Sequence, residues 1–225
     1  MTRAAVKSKS APNRKPVPRW QRRKEARPSE IVAAALEVFV ERGFAATKLE
    51  EVARRAGVTK GTVYLYFENK EALFKAVVRE TILPIFARGE QMVAQHHGSA
   101  ASLFNQLVRR WWELIGETKL SGIPKLMMAE AGNFPVLARF YYDEVIMRGH
   151  RLMASVLELG IRNGEFRPMD VKVAVRLAMA PLLHVANWRH SFALCTPDGL
   201  DIAAYIDHHV HIFLRGIATH PDRIA

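Results

Sequence analysis

Two short segments of helical periodicity, Leu49–Ala56 and Lys60–Phe67, stand three residues apart around Gly57, and so short a joint leaves them few ways to pack. In the first segment Leu49, Val52, Ala53 and Ala56 recur at the spacing of one helix face. Thr47 and Glu50 have the Thr-x-x-Glu spacing of a capping box, in which the hydroxyl and the carboxylate each satisfy a backbone N–H. Gly57 follows where a residue with positive φ ends a helix without a Cβ penalty. Val58 returns the chain to the core, and Thr59 is placed to cap the second segment. There Val63 and Phe67, four apart, share an inward face. Gly61, Thr62 and Leu65 point the other way, flanked by Lys60, Tyr64 and Tyr66. A helix with a core side, an opposite side of small, polar and aromatic residues and a cation at its start suits the major groove of DNA. Asn69 then caps a third helix carrying Leu73, Phe74 and Val77.

The residues from Arg27 to Val77 carry a resemblance. Ile31, Ala35, Phe39 and Gly43, then Ala56-Gly57-Val58-Thr59, Lys60-Gly61, Tyr64, Phe67, Lys70-Glu71 and Leu73, resemble the TetR/AcrR-type bacterial transcriptional regulators. The rest of the chain matches only in length and helical character. The resemblance implies a three-helix DNA-binding head, an all-helical ligand-binding body and a homodimer. Together with the facing just described, it implies that Thr59, Lys60, Gly61 and Thr62 face base edges. Thr47, Tyr64, Tyr66 and Lys70 then hold phosphates. Leu65 departs from the pattern, since relatives often carry a polar or aromatic residue there. Leucine cannot donate a hydrogen bond, which leaves it an apolar contact such as a thymine methyl, or none.

Charge is unevenly placed. The net charge is +11, yet the first 27 residues hold ten Lys or Arg against one acid, Glu25. Pro12, Pro16 and Pro18 and the scarcity of large apolar residues leave that segment no core of its own. It is expected to be a basic flexible arm over 1–27 that neutralises phosphates or enters the minor groove, the alternative being a solvated leader. A helix-turn-helix domain over 28–77 and a ligand-binding and dimerisation body over 78–225 follow. With 49% apolar residues and 225 residues in all, the chain has material for a substantial core. The single cysteine, Cys195, excludes an intramolecular disulfide and suits a reducing cytoplasm. No apolar run reaches the ~18 residues of a membrane span. The basic N-terminus lacks the apolar stretch of a secretory signal.

The fold class predicted is all-α, a three-helix head followed by a helical body. The first helix spans about 29–42, with Pro28 or Ser29 at its start. The helix after Asn69 runs to the mid-90s and bends at Pro84. Further helices cover about 101–118, Lys125–Ala131 after a break at Ser121–Pro124, 135–163, 170–192 and 200–217. Residues 171–194 are apolar on more than one face, which suits packing on the body and on a second subunit. Phe104, Trp111, Met127, Met128, Phe134, Phe140, Tyr141, Met147, His184 and Trp188 are the candidate lining of an adaptable apolar pocket for a small apolar or aromatic effector; each, taken singly, is also ordinary core.

No catalytic constellation appears, neither a phosphate-binding glycine loop nor a nucleophile elbow. His208, His209 and His211 lie close together, but no Cys or Glu completes a ligand set, so a solvated or interfacial patch is favoured over a metal site. No cofactor is implied. The favoured function is a ligand-responsive dimeric repressor of a palindromic operator on double-stranded DNA, with no membrane partner. An activator or protein-controlled regulator is the alternative within DNA binding. A helical enzyme or carrier with a basic nucleic-acid-binding tail is the alternative from another class.

Overall fold

The structure, a computed structural model, describes residues 19–195 and 199–220. Most of the expected basic arm lies outside the described residues. The head consists of α1 (Arg19–Arg42), α2 (Leu49–Arg55) and α3 (Lys60–Tyr66). The body follows as α4 (Lys70–Thr81), α5 (Leu83–Gln95), α6 (Ala100–Trp111), α7 (Gly122–Glu130) and α8 (Pro135–Tyr141), then α9 (Met147–Arg162), α10 (Val171–Arg189) and α11 (Ile202–Ile217). Among the described residues there is no sheet, only a single antiparallel bridge between Phe166 and Ala218.

Helix starts follow local chemistry. Thr59, Asn69, Ser99, Asp170 and Asp201 each accept a backbone N–H of the first turn of α3, α4, α6, α10 and α11. Such a cap contributes about 1 kcal/mol. Gly57, at φ +66°, makes the left-handed turn between α2 and α3.

Apolar burial joins the elements into two clusters. One contains the head core, with Ile31, Ala35, Phe39, Val52, Val63 and Phe74, and continues without interruption into Ile123, Met127, Leu137 and Tyr141 of the body. Phe39, Phe44 and Phe74 form a ring triad with centroids 5.4 to 5.7 Å apart. Each such aromatic pair contributes about 0.5–1.5 kcal/mol beyond its area. The second cluster lies between α6, α9, α10 and α11.

Several elements depart from the sequence expectation. The first helix reaches back to Arg19 with Pro28 inside it, so the C-terminal part of the expected arm is helical. Thr47 does not cap α2. Lys48 occupies the N-cap position without a side-chain bond. Thr47 is 3% exposed and its hydroxyl donates to Gly43 O at 2.6 Å. The helix after Asn69 is interrupted at Ile82, because Pro84, in the first turn of α5, has no N–H to bond one turn back. Pro124 sits in the first turn of α7, where a missing N–H costs nothing, so the break precedes Gly122. Two π-helical turns, Trp112–Gly116 and Tyr142–Ile146, extend α6 and separate α8 from α9.

Candidate nucleic-acid interface and effector cavity

Outward on the head lies α3. Thr59, Lys60, Gly61, Tyr64 and Leu65 are exposed, and Thr62 and Tyr66 are half-buried. Leu65 is 73% exposed, high for a large apolar side chain. The Thr59 and Thr62 hydroxyls lie 2.9 Å apart while the Thr62 N–H donates to Thr59 Oγ1, so one cap orders both polar tips. Lys60 pairs with Glu50 of α2 and lies 5.7 Å from the Tyr64 ring centroid. A hydrogen bond to Glu50 raises the Lys60 pKa and, in return, lowers that of Glu50. Behind this face Arg55 grips Glu41 with two bonds of 2.6 and 2.7 Å and holds α2 on α1.

Two of the residues expected at phosphates are used internally. Thr47 is buried, as above. Lys70 Nζ donates to Ala45 O at 2.9 Å and Thr47 O at 3.1 Å, and lies 4.7 Å from the Phe44 ring centroid. Burial lowers its pKa. The ammonium therefore fastens the loop between α1 and α2 and is not directed outward.

The same loop is held from the body by residues that sequence reasoning missed. Glu130, 8% exposed at the end of α7, accepts the Ala45 N–H. The Phe134 ring meets Phe44 edge-on at 4.7 Å. Phe134 belongs to this contact and lines neither the cavity nor the groove of the body. The one available signal was an acid closing an otherwise apolar segment, Leu126–Ala129, and it does not reveal a partner 85 residues away.

A cavity of about 130 Å³ opens inside the body between α5, α6, α9 and α10. Its wall is almost wholly apolar and includes Ile82, Phe86, Leu107, Trp111, Met153 and Leu182. Ile82 is the residue at which the helix leaving the head is interrupted. A cavity of roughly 150 Å³ with such a lining accommodates benzene. A surface groove between α7, α8 and α10 shares Pro124, Tyr141, Ile146 and Leu183 with it and adds Met127 and Met128.

Of the expected lining, the structure brings Trp111 and Tyr141 to the cavity and Met127, Met128 and Tyr141 to the groove. The others lie elsewhere. Phe104 stacks on Phe213 in the second core, at 5.1 Å. Phe140 faces the cations of Lys75 and Arg79 on α4. Met147 lines neither space. His184 is exposed on α10 and its ring lies 5.9 Å from that of half-buried Trp188. With Val173, Leu177 and Phe192 these two make a mostly exposed stripe along α10 and just past its end, and Ile212 of α11 is exposed as well.

Among the described residues no group of three or more potential metal ligands converges. His209 instead donates to Ala178 O at 2.8 Å and His208 to Ala204 O at 2.7 Å. No helix among the described residues is long and apolar enough to cross a membrane.

Comparison with known proteins agrees with this geometry. Residues 31–77 match the family described as bacterial regulatory proteins, tetR family. Residues 102–216 match the AefR-like transcriptional repressor C-terminal domain. The chain is 38% identical over 198 residues to the HTH-type transcriptional regulator RutR of Escherichia coli K12, covering 84% of this chain and 83% of that protein. It is 28% identical over 177 residues to the HTH-type transcriptional repressor KstR2 of Rhodococcus jostii, covering 78% and 85%. The crystal structure of the transcriptional regulator FadR from Bacillus subtilis in complex with stearoyl-CoA superposes with a TM-score of 0.69 at 22% identity, over 84% of this chain and 98% of that one.

Proposed function

The chain belongs to the TetR family of bacterial transcriptional regulators, and on that premise we propose that it is a repressor that works as a homodimer on a palindromic operator and is released by a small apolar or aromatic effector. Its relatives are regulators and not enzymes, which removes the helical-enzyme reading. A cytoplasmic location fits this role.

The observation that carries the effector reading is the apolar cavity whose wall includes Ile82. Above Ile82 the chain continues as α4, which packs Leu73, Phe74 and Val77 into the head core. A molecule that fills the cavity presses on the joint between head and body. It weakens DNA binding only in so far as it binds the released arrangement more tightly than the DNA-bound one. The likeness in fold to a regulator solved with stearoyl-CoA supports a body able to enclose an apolar ligand.

Support for the dimer is the stripe of Val173, Leu177, His184, Trp188 and Phe192 along α10 and just past its end, together with exposed Ile212 of α11. A palindromic site requires two copies of α3 about 34 Å apart, and two-fold pairing of such a stripe would supply the matching symmetry. Lys60, Gly61, Thr62 and Thr59 then read bases, while Tyr64 and Tyr66 contact the backbone.

The test begins with an operator selected from random duplex DNA. Fluorescence anisotropy would then be measured at moderate salt with and without apolar and aromatic compounds. We expect specific binding by a dimer, weakened by compounds that fit the cavity. Specific binding that no such compound alters would replace the effector with a protein partner.

A further inference from the structure

Tyr141 is the polar group most deeply set in the wall of the cavity. Its side chain is 8% exposed and lines both the internal cavity and the groove, so it stands in the partition between them. Its hydroxyl makes no hydrogen bond to another described residue, and it is not sealed in the core as Asn187 Oδ1 is, so it opens onto these spaces. A hydroxyl that meets no protein partner in an otherwise apolar wall is available to a polar atom of whatever fills the space. Burial raises the Tyr141 pKa, so the phenol keeps its proton and acts as a donor. His150, another polar ring on this wall, is only half-buried and already faces the charge of Arg176.

We propose that Tyr141 is the specificity-determining contact for the effector, its O–H donating to an uncharged oxygen, a ketone or similar carbonyl, on an otherwise apolar molecule. This rests on the effector reading above and sharpens it. An oxygen acceptor placed at the partition takes the phenol O–H as it covers it, whereas a hydrocarbon of the same shape covers the hydroxyl without giving it a partner. A site built around one such bond discriminates by chemistry where an apolar cavity alone discriminates only by size.

The test uses two isosteres of nearly cavity size, acetophenone and α-methylstyrene, which differ in C=O against C=CH2. Both are titrated into the full-length protein and into Tyr141→Phe, following tryptophan fluorescence, to which Trp111 on the cavity wall contributes, and the shift in melting temperature. In the wild type we expect acetophenone to bind about tenfold more tightly, the factor of one hydrogen bond of ~1.4 kcal/mol. In Tyr141→Phe acetophenone should fall to the affinity of the hydrocarbon, which itself stays the same or rises. The unliganded variant should melt no lower than wild type, because the hydroxyl makes no hydrogen bond within the protein. Equal binding of the two probes by the wild type overturns the role of Tyr141 and leaves the effector reading standing. A preference that survives in Tyr141→Phe does the same. Failure of both probes to bind the wild type overturns the cavity as an effector site, and the proposal with it.

Discussion

Glu130, on the last turn of α7, accepts a 2.9 Å hydrogen bond from the backbone N–H of Ala45, the residue that begins the passage from α1 to the DNA-facing pair of helices. Lys70 holds the carbonyl of the same residue. One residue of the head is thus fixed at its N–H from the body and at its C=O from α4. Glu130→Ala leaves that N–H with no acceptor and should cost about 1–3 kcal/mol of stability by chemical denaturation. Operator affinity should fall as well, since the loop carrying α2 loses its reference point. Glu130→Gln, which keeps an acceptor oxygen, should recover most of both.

Lys70→Ala separates a phosphate contact from an internal fastening. A lysine on a phosphate contributes to counterion release, so its loss flattens the dependence of log affinity on log salt by about one. Lys70 faces two backbone carbonyls and a ring, so the slope should stay as it was while thermal stability drops. A flattened slope with unchanged melting would overturn this assignment.

Lys60 makes the opposite case. Its ammonium is engaged by Glu50 in the free protein and must leave that carboxylate to touch a base. Glu50→Gln removes the competitor and a negative charge beside DNA. We expect operator affinity to rise several-fold at low salt and the gain to shrink at high salt. Lys60→Ala should relax the selected consensus at one position of each half-site.

Three histidines give the acid response. Burial lowers the pKa of His150, His190 and His209 below the ordinary imidazole value. Unfolded, each takes up its proton as pH falls through about 6.5, while the folded protein resists. The unfolded state then binds more protons, so stability declines as pH is lowered from 7.5 to 5.5. Denaturation midpoints across that range measure the decline. His209→Gln, which keeps a donor toward Ala178 O, should make it shallower.

The uncovered stripe on α10 predicts its own disruption. Leu177→Glu puts a charge where 61% of a leucine lies open. If two copies meet there, sedimentation should show a monomer, and the operator should be bound weakly and without preference for paired half-sites. A variant that stays dimeric would move the interface elsewhere.

Local chemistry was the legible part of the sequence. Thr59, Asn69 and Asp170 sit at the helix starts where their side chains place them, because capping depends on three or four consecutive residues. The Thr47–Glu50 pair shows the limit of the same logic. It has the capping spacing, yet Thr47 is buried with its hydroxyl on the Gly43 carbonyl and Glu50 turns to Lys60, since burial and an ion pair won over the capping bond. Periodicity identified buried faces without saying what they meet. Phe104, Phe134 and Trp111 are alike as apolar helix residues, but only Trp111 faces the cavity. Contacts such as Glu130 to Ala45 span 85 residues and depend on how two helices cross, which no local pattern encodes.

The interruption at Ile82 has a consequence of scale. Beyond it α4 is a rigid rod of 12 residues, about 18 Å long at 1.5 Å per residue. A swing of about 10° at its foot displaces the far end by ~3 Å, close to the ~3.4 Å that separates successive base pairs on one strand. A deformation no larger than the thickness of one base step, made where the cavity wall meets the rod, is enough to carry the reading helix from one rung of its operator toward the next.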